Sequence, residues 1–136
     1  MAGFDRDRVE EMLAADAYAA SLGVQLVAVS PDEIEVALDV GESHLNFLGV
    51  GHGGMVFSLA DCAFSLGSNS AGDRAVAIDA HLVLTGGTKA GDRLTAVVTE
   101  ATRGRTLGTY RVTVSRDDGR GVGLFTGTVH ITAASR

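Results

Sequence analysis

Gly53 to Asn69, GGMVFSLADCAFSLGSN, is the stretch that most restricts what this chain can fold into. Its apolar residues fall on nearly every side of a helical period and show no period of two, which predicts a mostly buried helix over about 54–69. The long runs around it read as strands. VQLVAVSPDEIEVALDV alternates apolar and polar residues on both sides of Ser30-Pro31-Asp32, the pattern of a β-hairpin, with Ile34, Val36 and Leu38 on one face. Beyond Gly72, the runs AVAIDAHLVLT, DRLTAVVTEAT, TLGTYRVTVSR and GVGLFTGTVHIT are separated by the turn sequences GGTKAG, RGR and DDG. Near the N-terminus, Val9, Met12, Leu13 and Tyr18 recur close to helical spacing, predicting one amphipathic surface helix over about 5–20, with the chain turning at Gly23. Strands that follow one another without intervening helices give an antiparallel sheet, and a buried helix needs a surface to cover it. The expected class is α+β, with a five- or six-stranded antiparallel sheet, its last four strands a meander, wrapped around one long central helix. A length of 136 residues suits a single domain spanning 1–136.

The balance of 11 basic against 17 acidic residues, a formal charge of -6, argues against a nucleic-acid partner, because phosphate binding needs clustered Lys and Arg. Cys62 is the only cysteine, so the chain forms no internal disulfide and carries no zinc motif; no metal is expected. MAGFDRDRVEEML lacks the apolar centre of a signal peptide, and no later run reaches the ~18 apolar residues of a membrane span. A soluble cytoplasmic protein without a membrane partner is the expectation.

Within the central helix stands one carboxylate, Asp61. An ionised acid is costly to bury, so it must be paired, partly solvated or shifted toward its neutral form. Pairing with an Arg such as Arg74, or a wet edge of the helix, would explain it structurally; chemistry is the other reason to keep it. GHGG at Gly51 to Gly54 opens the same helix with a pliable backbone, and the first N–H groups of a helix are unpaired and partially positive. Such donors stabilise a carbonyl oxygen as it becomes an oxyanion. The glycines could equally form only a turn, with His52 a cap. If both groups act, eight positions along a helix separate Gly53 from Asp61 by ~12 Å, too far for one carbonyl to touch both. That distance points to a two-fold dimer in which Asp61 of one subunit faces the Gly53 amide of the other. Ser65, one turn beyond Asp61, shares its face and could hold a water or the acid. Asn46, ahead of the glycine turn, could bond a substrate carbonyl or simply form a turn.

Asn46, His52-Gly53-Gly54 and Ala60-Asp61 together spell N-x5-HGG-x6-AD, and with them the chain resembles a hotdog-fold acyl-CoA thioesterase of the PaaI (phenylacetate-degradation) type. The likeness runs from about Leu22 to Thr132, with weaker support from AGDRLTA at Ala90 to Ala96 and RGRTLGTYRVTV at Arg103 to Val114. It implies a sheet continuous across a homodimer, with dimers often paired into homotetramers. It also implies that Asp61 serves as general base or nucleophile and the Gly53 amide polarises the thioester carbonyl. Asn46, His52 and Ser65 would complete the catalytic set. Coenzyme A would enter as part of the substrate and no separate cofactor is implied. Its phosphates need positive groups, for which Arg103 and Arg105 are the first candidates and Arg74 and Lys89 the next. Leu45, Phe47, Leu48 and Phe64 would line the acyl pocket. Two departures stand out. Many relatives carry Asn or Asp followed by Arg-Pro in the strand after the helix, where this chain has HLVLTGGT at His81 to Thr88, and Cys62 stands where Thr or Ser is common. A hotdog hydratase or dehydratase and a non-catalytic acyl-CoA-binding module are the alternatives. The acid eight positions beyond Gly53 fits hydrolysis better than the first, and a mere binder has no need of Asp61.

Overall fold

The computed structural model describes residues 3–134. In chain order it contains α1 (Arg6–Ala14), α2 (Ala17–Leu22), β1 (Gln25–Val29), β2 (Ile34–Asp39) and a 3₁₀ turn (Glu42–His44). There follow α3 (Gly53–Asn69), β3 (Asp73–Leu84), β4 (Arg93–Arg103), β5 (Leu107–Arg116) and β6 (Gly121–Ala134). All six strands form one antiparallel sheet of order β1-β2-β4-β5-β6-β3, and α3 packs against β2 to β6. On β2, β4 and β5 alternate residues turn toward that helix. Ile34, Val36 and Leu38 share the buried face as expected, joined by Leu94, Ala96 and Val98 from β4 and by Tyr110, Val112 and Val114 from β5. Among the described residues no helix is long and apolar enough to cross a membrane.

Phe64 belongs to this core and not to an acyl pocket. It is 1% exposed, with its ring 5.4 Å from that of Phe125 and 6.1 Å from that of Tyr110. Opposite it β6 carries Gly127, where a Cβ would stand 2.6 Å from the Phe64 ring, so only glycine lets helix and sheet approach this closely.

Two local expectations change. The single N-terminal helix is instead two, because the Asp16 carboxylate accepts the Ala19 N–H at 2.9 Å, an amide that an unbroken helix would give to the Ala15 carbonyl. α2 thus starts on a new axis and closes at Gly23 (φ 84°). Tyr18 consequently leaves the apolar face with Val9 and is 59% exposed. The four-strand meander is also reduced, to β4-β5-β6. β4 already has β2 on one side and its hairpin partner β5 on the other, which leaves β3 only the free edge of β6.

Candidate active site

The sheet covers most of α3 but not one stripe: Gly54, Phe57, Ser58, Asp61, Ser65 and Asn69, on one side of the helix, are exposed or half-buried. Asp61 therefore sits in a half-buried helix face, with Ser65 one turn beyond. Among the described residues it has no ion-pair partner, and Arg74 does not supply one. Burial pushes its carboxyl pKa up from the usual value, and the negative charge of Asp16 pushes it further the same way. Both causes disfavour the anion, so the native protein binds this proton more tightly than the unfolded chain. Stability from this group therefore falls as pH rises through the raised value, while an ionised base is gained over the same interval. If Asp61 acts as base or nucleophile, kcat/KM should lose activity on acidification around a midpoint above that of an ordinary aspartate, which a pH profile checks. Cys62, the next residue, is buried, and burial first and then Asp16 and Asp61 push its thiol up to about 12. It is a small core residue without thiolate character.

The N-terminus of α3 is built by the segment before it. His52 donates its backbone N–H to the His44 carbonyl at 2.8 Å, Asn46 donates to Val50 at 2.8 Å, and Gly51 donates to Thr88 at 2.8 Å. The Asn46 Oδ1 accepts from the Leu48 and Val50 amides at 2.9 and 3.3 Å, so its oxygen makes the turn. Its Nδ2 has no acceptor among the described residues and stays available as a donor. His52 caps the helix: Nδ1 accepts the Gly54 N–H at 2.8 Å, and its carbonyl accepts from Met55 at 3.0 Å and Val56 at 3.4 Å. Gly54 must lack a side chain here, since a Cβ would stand 2.9 Å from that Nδ1. Of the first four amides of α3, only Gly53 N–H has no acceptor among the described residues. With Nδ1 occupied, the neutral His52 ring carries its proton on Nε2 and can donate but not abstract, which disfavours a hydratase built on His52.

The basic candidates separate. Arg103 is 11% exposed at the side chain, donates from Nη1 to the Ser68 carbonyl at 3.0 Å and to Tyr110 Oη at 2.6 Å, and lies 3.8 Å from Asp73. It closes the C-terminal end of α3, where Arg8 also donates to the Asn69 carbonyl at 2.9 Å. Arg105 is exposed in the β4–β5 turn and Lys89 pairs with Asp92 at 2.8 Å. Phe47 is 96% exposed and Leu48 is exposed too, on the loop leading to Gly53, while Leu45 is half-buried beside Gly51. Cavities of about 620 Å³ near Arg103 and Tyr110 and about 440 Å³ near Thr88 and Arg116 are lined by neither Asp61 nor Gly53.

The residue pattern does not reveal what flanks the acid from α2. Tyr18 Oη and Ser58 Oγ share a hydrogen bond at 2.8 Å, and Asp16 bears on Asp61 through its charge. The readable signal was Asp16 itself, an N-cap residue type that marks a second helix start.

A six-stranded antiparallel sheet wrapped on one long helix defines the class: a hotdog fold. The sequence model of the Thioesterase superfamily matches residues 48–122, more than half of the chain. A "putative esterase" of Deinococcus radiodurans is 46% identical over 113 residues, covering 82% of this chain and 77% of that protein. The "acyl-coenzyme A thioesterase PaaI" of Escherichia coli is 34% identical over 115 residues, covering 85% and 82%. A solved structure of the E. coli PaaI protein superposes with a TM-score of 0.90 at 31% identity, covering 95% and 94%. A Streptococcus pneumoniae hypothetical thioesterase solved with coenzyme A gives 0.84 at 26% identity, covering 93% and 98%. The chain belongs to the thioesterase superfamily, as a PaaI-type hotdog protein, and is a thioester hydrolase.

Proposed function

We propose that the protein is a cytoplasmic acyl-CoA thioesterase that works as a homodimer, releasing coenzyme A and a free acid from arylacetyl or other small to medium acyl groups. The observation that carries this reading is the pairing of the unused Gly53 amide with a half-buried, unpaired Asp61 eight residues further along the same helix. At ~1.5 Å per residue the two are ~12 Å apart, so one scissile carbonyl takes them from different subunits. Gly53 of the partner subunit donates to the carbonyl oxygen, and the free Asn46 Nδ2 assists on that side. Asp61 then either removes a proton from the attacking water or attacks the carbonyl itself, giving an acyl anhydride that water cleaves; the thiolate of coenzyme A departs in both cases. The Ser65 hydroxyl, without a partner among the described residues, orients the water. Phe47 and Leu48 supply apolar lining, and Arg105, exposed in the β4–β5 turn, together with Arg103 supplies positive charge for the phosphates.

An apolar edge supports the dimer. β3 is a 12-residue edge strand on which Val76, Ile78, Val83 and Leu84 are exposed, with Ile78 at 60%. A long uncovered edge of this kind is unfavourable in a lone chain. Two copies joined along β3 continue the sheet and set the α3 helices side by side in opposite directions. Val83 and its cross-strand neighbour Leu124, both exposed on the outer sheet face, favour a further pairing into a homotetramer. Ile78→Lys should shift the protein toward monomer in light scattering and lower thiol release at least ~10-fold, since a subunit alone has half of each site. The function itself is tested by thiol release across aromatic and aliphatic acyl-CoAs. Turnover of at least one to free acid is expected; binding without turnover, or an enoyl product, would overturn the assignment.

A further inference from the structure

We propose that the first turn of α2, Asp16 to Tyr18, is the wall of the acyl subsite, where Tyr18 contacts the acyl group and Asp16 excludes acyl groups that carry a negative charge. The proposal rests on the thioesterase reading above and adds the residues that choose among substrates. Its ground is placement. Ser58 lies three residues before Asp61 on the free stripe of α3, and the 2.8 Å hydrogen bond between Tyr18 Oη and Ser58 Oγ fastens α2 there. Tyr18 keeps 59% of its surface open despite that anchor, so its ring is held in place without being consumed by the core. Asp16, two residues earlier, caps α2 through Ala19 and is near enough for its charge to act on both Asp61 and Cys62.

The other end of α2 is also tied. His44 Nδ1 accepts the Gly41 N–H at 2.9 Å, so Nε2 carries the proton and donates to the Leu22 carbonyl at 3.0 Å. The His44 carbonyl in turn accepts from His52, the cap of α3. α2 is therefore braced both to the helix that carries the acid and to the segment that presents Gly53. A thioester held at Asp61 extends in two directions. The coenzyme arm next to the sulfur is a chain of polar amides, which suits an exposed aromatic ring less well than an apolar group does, so the arm assigned to α2 is the acyl arm. A fixed aromatic face suits an apolar acyl chain or ring, and a carboxylate beside it acts against a second anion.

Hexanoyl-CoA and adipoyl-CoA have the same chain length and differ by a terminal carboxylate; acetyl-CoA is too short to reach beyond the carbonyl. Thiol release from these three by the full-length wild type, Asp16→Asn and Tyr18→Ala tests the proposal, with Asn chosen because it still caps a helix. The wild type should prefer hexanoyl over adipoyl, and Asp16→Asn should narrow that kcat/KM ratio about tenfold. Tyr18→Ala should lower kcat/KM for hexanoyl at least about fivefold more than for acetyl. An unchanged hexanoyl-to-adipoyl ratio in Asp16→Asn, or an equal factor for acetyl and hexanoyl in Tyr18→Ala, overturns the wall. No thiol release from any acyl-CoA by the wild type overturns the thioesterase reading itself, and the two failures are thereby distinct.

Discussion

Asp61→Asn should reduce kcat on a good acyl-CoA substrate at least ~100-fold while leaving the fold intact. The amide matches the carboxylate in shape and loses only the capacity to accept a proton or to attack carbon. Stability should move in the opposite direction from activity. Burial and the Asp16 charge both raise the Asp61 pKa, so above that value the native state holds an anion it disfavours. Removing the charge relieves both effects, and the melting temperature at pH 7 should stay level or rise. A variant that lost activity together with several degrees of melting temperature would point to a structural acid instead.

Gly53→Pro should cost ~10²- to 10³-fold in kcat, the scale on which a single oxyanion donor matters. Proline removes the one amide of the first turn that has no acceptor among the described residues and no other hydrogen bond of that turn. It occupies the first helical position, where its ring is tolerated, and His52 before it already has φ -72° and ψ 134°, the extended backbone that a preceding residue needs. A Cβ at this position would lie 3.1 Å from Leu84 Cδ1, the end of a flexible side chain that can shift by the small amount required. Gly53→Ala adds the same carbon and keeps the N–H. It should retain activity within ~10-fold of wild type, and equal losses in the Ala and Pro variants would assign the effect to crowding instead of the missing donor.

What the sequence makes legible here follows from how local each signal is. The buried helix, the hairpin around Pro31 and the strand runs are written in residue periods, and α3 at Gly53–Asn69 and β1 to β6 follow them closely. The glycine turn and Asp61 are legible because a helix start and an acid in an apolar segment are both local anomalies. β3 could not be placed beside β6 from pattern alone, since its alternation says nothing about which edge is vacant. Arg103 reads as a surface cation in a turn sequence, but the Ser68 carbonyl and Tyr110 that engage it are 35 and 7 residues away. Phe64 has the composition of a pocket lining, and only Gly127 on a distant strand shows that its ring is locked into the core. Tyr18 falls on an apolar face only along one continuous helix, and the Asp16 cap makes two.

The measurement that bears most directly on a site shared between subunits is complementation. Asp61→Asn and Gly53→Pro chains, each nearly inactive alone, are coexpressed in equal amounts so that they assort at random. Half of the resulting dimers are mixed. In each mixed dimer one site joins an intact Asp61 to an intact Gly53 while the other has neither, so the preparation should recover about one quarter of wild-type thiol release. A coexpressed preparation no more active than the two variants measured separately would contradict an acid and an amide donor that meet across the two-fold axis.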